Sequence, residues 1–313
     1  MIYKEIPMIY TLTLNPAIDY EIELNTLKLG TINTTEEQHF ISGGKGINVS
    51  RGLSYFGIDS IAVGFLGGFT GNFMRESLSN DKFESRFVTI NDMTRINIKI
   101  HEINEHTDMT GKSPRISSYE IDQLLNFLDE LKDGDVLILS GSQPRINFNL
   151  YKQILERYKY LNIDIVLDVP GDLYDELLSY QPILIKPNLA ELSQFMKQEV
   201  HDVDDIVKAS KMMIEKGSQS VFVSCGEKGG YFIDKNHIYH AKPVKGSPKR
   251  LFGAGDHFVA GYIYGHVSGL KIIDKLKYGI ACASLQIFEQ NGYNQTKVED
   301  MFKFIEIEEL CHD

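Results

Sequence analysis

The run Phe252-Gly253-Ala254-Gly255-Asp256-His257 sets an acidic side chain directly behind three small residues. Val259, Ile263 and Val267 follow at helical spacing and Gly269 can end the helix, so Asp256 is expected in its first turn. Backbone N–H groups at Gly253, Ala254 and Gly255, aided by the helix dipole, would cradle an anion. Phosphoryl transfer needs such a cradle beside a base that can take a hydroxyl proton, a role open to Asp256. A carboxylate that merely caps a helix would use the same residues.

Other runs carry complementary chemistry. In Ser42-Gly43-Gly44-Lys45-Gly46-Ile47-Asn48 paired glycines open a helix, and Lys45 and Asn48 offer a cation and an amide. The order of glycines and lysine is not that of a Walker loop. Lys186-Pro187-Asn188-Leu189-Ala190-Glu191 follows an apolar run, where Asn188 and Glu191 could hold Mg²⁺ through water. The same pair reads equally as a capping box. Ser224-Cys225-Gly226-Glu227-Lys228-Gly229 again follows an apolar run and reads as a hairpin turn or a nucleotide-facing loop. Asp19, after Asn15-Pro16, suits sugar hydroxyls, and Arg95, Asn97 and Lys99 alternate along one strand face. Two cations on one face would suit a phosphate, as they would also suit solvent.

These residues must be positioned by strands and helices. Residues 9–14, 136–139, 163–167, 183–185 and 221–223 are apolar runs expected for strands covered on both faces. Amphipathic helices are expected over 118–132 and 203–216, the second closed by Gly217. Their alternation predicts an α/β fold with a mainly parallel central sheet. Residues 20–41 and 95–103 have a different texture, polar and apolar in turn, and predict a small projecting β element that covers a site or forms a dimer contact. Met1-Ile2-Tyr3 recurs as Met8-Ile9-Tyr10, so residues 1–7 read as an extension before a domain over 8–313.

Composition narrows the function classes. Of 313 residues, 32 are Lys or Arg and 43 are Asp or Glu, a net charge of −11 that argues against nucleic acid or an anionic membrane as partner. Three cysteines without metal-like spacing (Cys225, Cys282 and Cys311) predict reduced thiols and a cytoplasmic protein. The histidines, His257 and His266 among them, show no metal spacing and read as structural or exposed.

In this order the motifs resemble the ribokinase-like (PfkB-type) carbohydrate kinase family, from Met8 onward. Gly43-Gly44-Lys45-Gly46-Ile47-Asn48-Val49-Ser50-Arg51 and Thr94-Arg95-Ile96-Asn97-Ile98-Lys99 look like its phosphosugar branch of 1-phosphofructokinases and tagatose-6-phosphate kinases. Leu12-Thr13-Leu14-Asn15-Pro16 and Ser140-Gly141-Ser142-Gln143-Pro144 fit as well. The resemblance implies a three-layer fold with a β-lid, ATP and Mg²⁺ as cofactors, and phosphorylation of a ketohexose phosphate. It implies Asp256 as base, with residues 253–255 as anion hole. Asp19, Gly43, Gly44, Lys45 and Asn48 would meet the sugar, and Arg95 and Lys99 its phosphate. Lys186, Asn188 and Glu191 would serve ATP and Mg²⁺, with Ser224, Gly226 and Gly229 lining the nucleotide site. The oligomeric state stays open between a lid-mediated homodimer and a monomer. The chain departs from the family at Arg250-Leu251-Phe252, where Asp-Thr-Val is usual, at His257, and at residues 106–109. A kinase of an unphosphorylated sugar or nucleoside is the alternative, and a catalytically weakened sugar-phosphate sensor a further one.

Overall fold

The computed structural model describes residues 7–102, 105–249, 252–289 and 292–310. Cys311, Ile103, Arg250, Leu251 and most of the N-terminal extension lie outside the described residues. In chain order the strands are β1 (Ile9–Thr13), β2 (Ala17–Glu23), β3 (Glu37–Gly43), β4 (Ser60–Gly67), β5 (Glu84–Ile90), β6 (Arg95–His101) and β7 (His106–Met109). They continue as β8 (Val136–Ser140), β9 (Asp164–Asp168), β10 (Leu184–Ile185), β11 (Ser220–Ser224), β12 (Gly230–Asp234), β13 (Ile238–Ala241) and β14 (Ile307–Glu309). The helices are α1 (Lys45–Ser54), α2 (Gly68–Leu78), α3 (Ser118–Leu128), α4 (Leu150–Tyr158) and α5 (Tyr174–Leu177). After these come α6 (Leu189–Met196), α7 (Val203–Glu215), α8 (Ala254–Val267), α9 (Ile272–Phe288) and α10 (Gln295–Met301).

Ten strands form one sheet in the order β14-β13-β12-β11-β10-β9-β8-β1-β4-β5. From β5 to β11 every neighbouring pair is parallel, and the last three pairings are antiparallel. The apolar runs are continuous because both faces are covered. Leu137 and Leu139 of β8 pack into one core with α3, α4 and α7, while Val136 and Ile138 pack into another with α8 and α9. Each such fully buried aliphatic side chain is worth about 1.5–3 kcal/mol. The chain runs from β1 to β4 and β5 on one side, then returns to β8 and β9 on the other. The carboxyl ends of β1 and β8 are therefore a topological switch point, where α/β sheets bind ligands.

The second sheet, β3-β2-β6-β7, grows from the ends of β1 and β5. Its pairing sets Asp19 beside Asn97 and Glu21 beside Lys99. It is broader than the sequence pattern suggests, because residues 106–109 form a strand of their own. Every residue of β7 is exposed, so no apolar alternation marks it; main-chain pairing to β6 makes it. The expected helix over 118–132 ends at Leu128 instead. Leu131 N–H donates to the Leu128 carbonyl at 3.0 Å and Asp135 accepts from Lys132 N–H at 3.1 Å, so a turn replaces the last coil.

Candidate active site

A cavity of about 390 Å³ lies at the switch point, between the main sheet and the second sheet. That is enough room for a small polar metabolite. Each wall comes from a different element. Thr13 ends β1 and Asn15 lies just past it, while Ser140 ends β8 and Gly141 and Ser142 follow it. Gly43, Gly44, Lys45 and Asn48 enter with the start of α1, Asp19, Arg95, Asn97 and Lys99 with the second sheet, and Gly253 and Asp256 with α8.

Gly253 is the N-cap of α8 with φ of 85°, a left-handed conformation that glycine adopts without strain. The first-turn N–H groups have no intrahelical partner there, and the helix dipole adds positive character. Lys186 approaches the same turn: a methyl group on Gly255 would lie 2.8 Å from Lys186 Nζ. Asp256 is 7% exposed and accepts a hydrogen bond from Asn48 Nδ2 at 2.8 Å. Arg51 Nη1 donates to Asn48 Oδ1 at 3.3 Å and fixes that amide. Burial, then the negative charge of Asp168, push the Asp256 carboxyl up to about 7, against the opposing pull of Asn48, Lys45 and Lys186. A carboxyl tuned near neutrality is matched to general-base work.

Asp168, at the end of β9, is the functional residue that the sequence reading missed. It is fully buried, and its Oδ1 meets Lys45 Nζ at 2.9 Å and Lys186 Nζ at 3.3 Å. Burial opposes its ionisation, but the charges of Lys186 and Lys45 outweigh burial and hold its carboxyl below the ordinary range. Lys45 also reaches Glu191 Oε1 at 3.3 Å; Asp168 and Glu191 outweigh its burial and hold it charged. Lys45 therefore joins Asp168 at the end of β9 to Glu191 on α6. The strand run ending at Leu167 was visible in the sequence, and an acidic residue just beyond a parallel strand was the available signal.

The second sheet supplies a separate charged cluster. Asp19 Oδ1 accepts from Asn97 Nδ2 at 2.9 Å, and Asp19 Oδ2 pairs with Lys99 Nζ at 2.9 Å. Arg95 Nη2 donates to the Asn15 carbonyl at 3.0 Å, while its buried Nε has no hydrogen-bond partner among the described residues. Phe252, beside the glycine turn, also lines the cavity.

The remaining expected residues sit on an adjoining ledge. Asn188 caps α6 and forms a capping box with Glu191, its Oδ1 accepting from Glu191 N–H at 2.8 Å. Ser224 bridges to Asn188 through the backbone, next to Lys186 and Glu191. Gly226 and Gly229 lie in the hairpin turn between β11 and β12, held by a 2.8 Å bond from Cys225 N–H to the Gly229 carbonyl. Neither lines the cavity. His257 is buried with its Nδ1 2.6 Å from the Tyr293 hydroxyl, and His266 pairs with Asp164 at 2.7 Å, so both are structural.

Comparison with known proteins fits this geometry. The model of the pfkB family carbohydrate kinases matches residues 12–298. The chain is 34% identical over 305 residues to a 1-phosphofructokinase of Borreliella burgdorferi, covering 97% of this chain and 99% of that one. It is 31% identical to a D-tagatose-1-phosphate kinase of Bacillus licheniformis, over 97% of this chain and 100% of the relative. The crystal structure of phosphofructokinase-2 from Escherichia coli in complex with substrates and products shares the fold, with a TM-score of 0.87. Its sequence identity is 24%, over 95% of this chain and 99% of that one.

Proposed function

The chain belongs to the pfkB family of carbohydrate kinases, and we propose that it transfers the γ-phosphoryl group of ATP to a hydroxyl of a ketohexose phosphate. The observation that carries this reading is one cavity that joins a buried base at a helix N-terminus to two cations on the second sheet. Asp256 takes the hydroxyl proton. The N–H groups at the start of α8, with Lys186 beside them, stabilise charge on the transferring group. Asp19 accepts from sugar hydroxyls, Arg95 and Lys99 meet the existing phosphate, and Asn48 orients the base. The Asn188–Ser224 ledge, with Gly226 and Gly229 beyond it, receives the nucleotide.

Mg²⁺ fits the donor set next to Lys186. Glu191 lines the cavity as a carboxylate 14% exposed, and Asn188 adds an amide oxygen, both hard ligands suited to an ion that keeps its waters. The ion would shield phosphate charge when bound.

ADP release with a panel of ketohexose phosphates, unphosphorylated sugars and nucleosides, with and without Mg²⁺, tests the proposal. Mg²⁺-dependent release with a ketohexose phosphate is expected. Release only with unphosphorylated acceptors would move the substrate class. Tight phosphosugar binding with no ADP would mark a sensor instead.

Arg95→Ala should raise KM for the phosphosugar by roughly 10- to 100-fold, the scale of a lost charge-assisted bond of about 1.5–3 kcal/mol. An unphosphorylated analogue should be affected far less. Equal loss for both would remove Arg95 as a phosphate ligand.

The second sheet also suits contact with another copy of the chain. Residues 37–41 of β3 are exposed, Phe40 is 54% exposed, and Leu29 and Ile32 are 88% and 98% exposed. Sedimentation equilibrium should give a dimer that Phe40→Glu dissociates; a monomer at all concentrations would refute this arrangement. Cys225 and Cys282 are free thiols buried in the fold. No helix among the described residues is long and apolar enough to cross a membrane.

A further inference from the structure

Lys99 lies between unlike neighbours. On β2, Asp19 Oδ2 is 2.9 Å from its ammonium and Glu21 Oε1 is 3.9 Å away. From α8's side, the ring of Phe252 has the ammonium 3.7 Å from its centroid. The lysine is 12% exposed, so the ring acts in a partly desolvated place, where a cation over an aromatic face is most strongly attracted. Carboxylates and ring hold the charge differently. Asp19 and Glu21 draw the ammonium toward β2 and neutralise it, whereas the ring attracts it without supplying a negative group. A lysine held by carboxylates alone is a poor anion ligand. One held partly by a ring keeps donors for an incoming phosphate.

Phe252 is itself well located. The rings of His101 and His106, cross-strand partners on β6 and β7, lie 6.1 Å and 6.5 Å from it. Its carbonyl accepts from Gln286 Nε2 at 3.5 Å, and the next residue, Gly253, is the N-cap of α8. One residue thus touches Lys99 with its side chain and begins the turn leading to Asp256 with its backbone.

We infer that Phe252 is a positioning and specificity-determining residue, which holds the Lys99 ammonium on the face opposite its Asp19 ion pair and so fixes the place of the anchored phosphate relative to the turn that carries the base. The inference rests on the proposed phosphosugar reaction. A phosphate bound at Lys99 and a hydroxyl presented to Asp256 must be a set distance apart along one substrate; the Phe252 ring touches Lys99 at one end, and its backbone runs directly into Gly253, the N-cap of the helix that carries Asp256 at the other. An acceptor without the anchoring phosphate does not use it.

The test is a double-mutant cycle on Phe252 and Lys99, read as KM and kcat for the ketohexose phosphate that the wild type turns over best. Thermal melting and ATP affinity serve as checks on folding. Phe252→Leu keeps apolar bulk and loses the aromatic face; it should lower kcat/KM about 3- to 30-fold, chiefly through KM for the phosphosugar. KM for ATP should not move. Phe252→Tyr keeps the ring and should stay near wild type. In a Lys99→Met background, Phe252→Leu should cost little more, because the cation it positions is gone. Additive losses in the cycle, or a Phe252→Leu enzyme with wild-type KM, would overturn the inference while leaving the reaction intact. A folded wild type that neither binds nor phosphorylates any phosphosugar would refute the proposed reaction, and this inference with it.

Discussion

Asp256→Asn lowers kcat by about 10²–10⁴ if the carboxylate is the general base, which corresponds to roughly 2.7–5.4 kcal/mol of barrier. The amide keeps the shape and can still accept from Asn48 Nδ2, so the lost element is the proton acceptor. A pH profile gives a second readout. With the carboxyl at about 7, kcat/KM of the wild type should fall about tenfold per unit below that pH. Stability should move the other way. The folded carboxyl holds its proton up to about pH 7, against an ordinary value of 3.8, so the folded state binds more protons between those limits. Stability therefore decreases as pH rises through that window, and the whole cost is present above it. At pH 8 Asp256→Asn should melt higher than the wild type while being nearly inert. Near-normal turnover in the folded variant would remove Asp256 from the chemistry.

Asp168→Asn should be the next most damaging change. Two ammonium groups share Asp168 Oδ1, and the carboxylate charge lets Lys45 and Lys186 stand together. Loss of one partner of a buried ion pair costs about 3–5 kcal/mol of stability, so the melting temperature should fall. Displaced cations next to the catalytic turn should lower kcat/KM by roughly 10²-fold, the scale of a small misplacement of a positioning group. The acidic limb of the pH profile should also move down, because the charge of Asp168 helps to raise Asp256. An unmoved limb in a folded Asp168→Asn enzyme would contradict this coupling.

Much of this arrangement could be read from the chain. The strands flanking the switch point are apolar throughout because helices cover both faces, so β1, β8, β9 and β11 appear at nearly their observed bounds. The small-residue turns before Lys45 and Asp256 follow from local backbone needs, and these are written in the sequence. Asp168 is different. Its role comes from two lysines, 123 and 18 residues away along the chain, which the topology brings to one oxygen. Asn48 lines the cavity, and its amide also holds Asp256, a contact across 208 residues that no local pattern signals. β7 escaped notice because an exposed edge strand is set by main-chain pairing, which polar side chains do not reveal. Phe252 stood out only as a departure from a pattern; its contact with Lys99 needed the second sheet to be in place.

The central claim is that a phosphoryl group passes from ATP to a ketohexose phosphate at Asp256. Phosphorus NMR of the protein with ATP, Mg²⁺ and the phosphosugar tests it most directly. The account predicts a second phosphomonoester resonance on the sugar, growing in step with ADP and about 10²–10⁴-fold more slowly with Asp256→Asn. ADP appearing with inorganic phosphate while the sugar stays unchanged would contradict it.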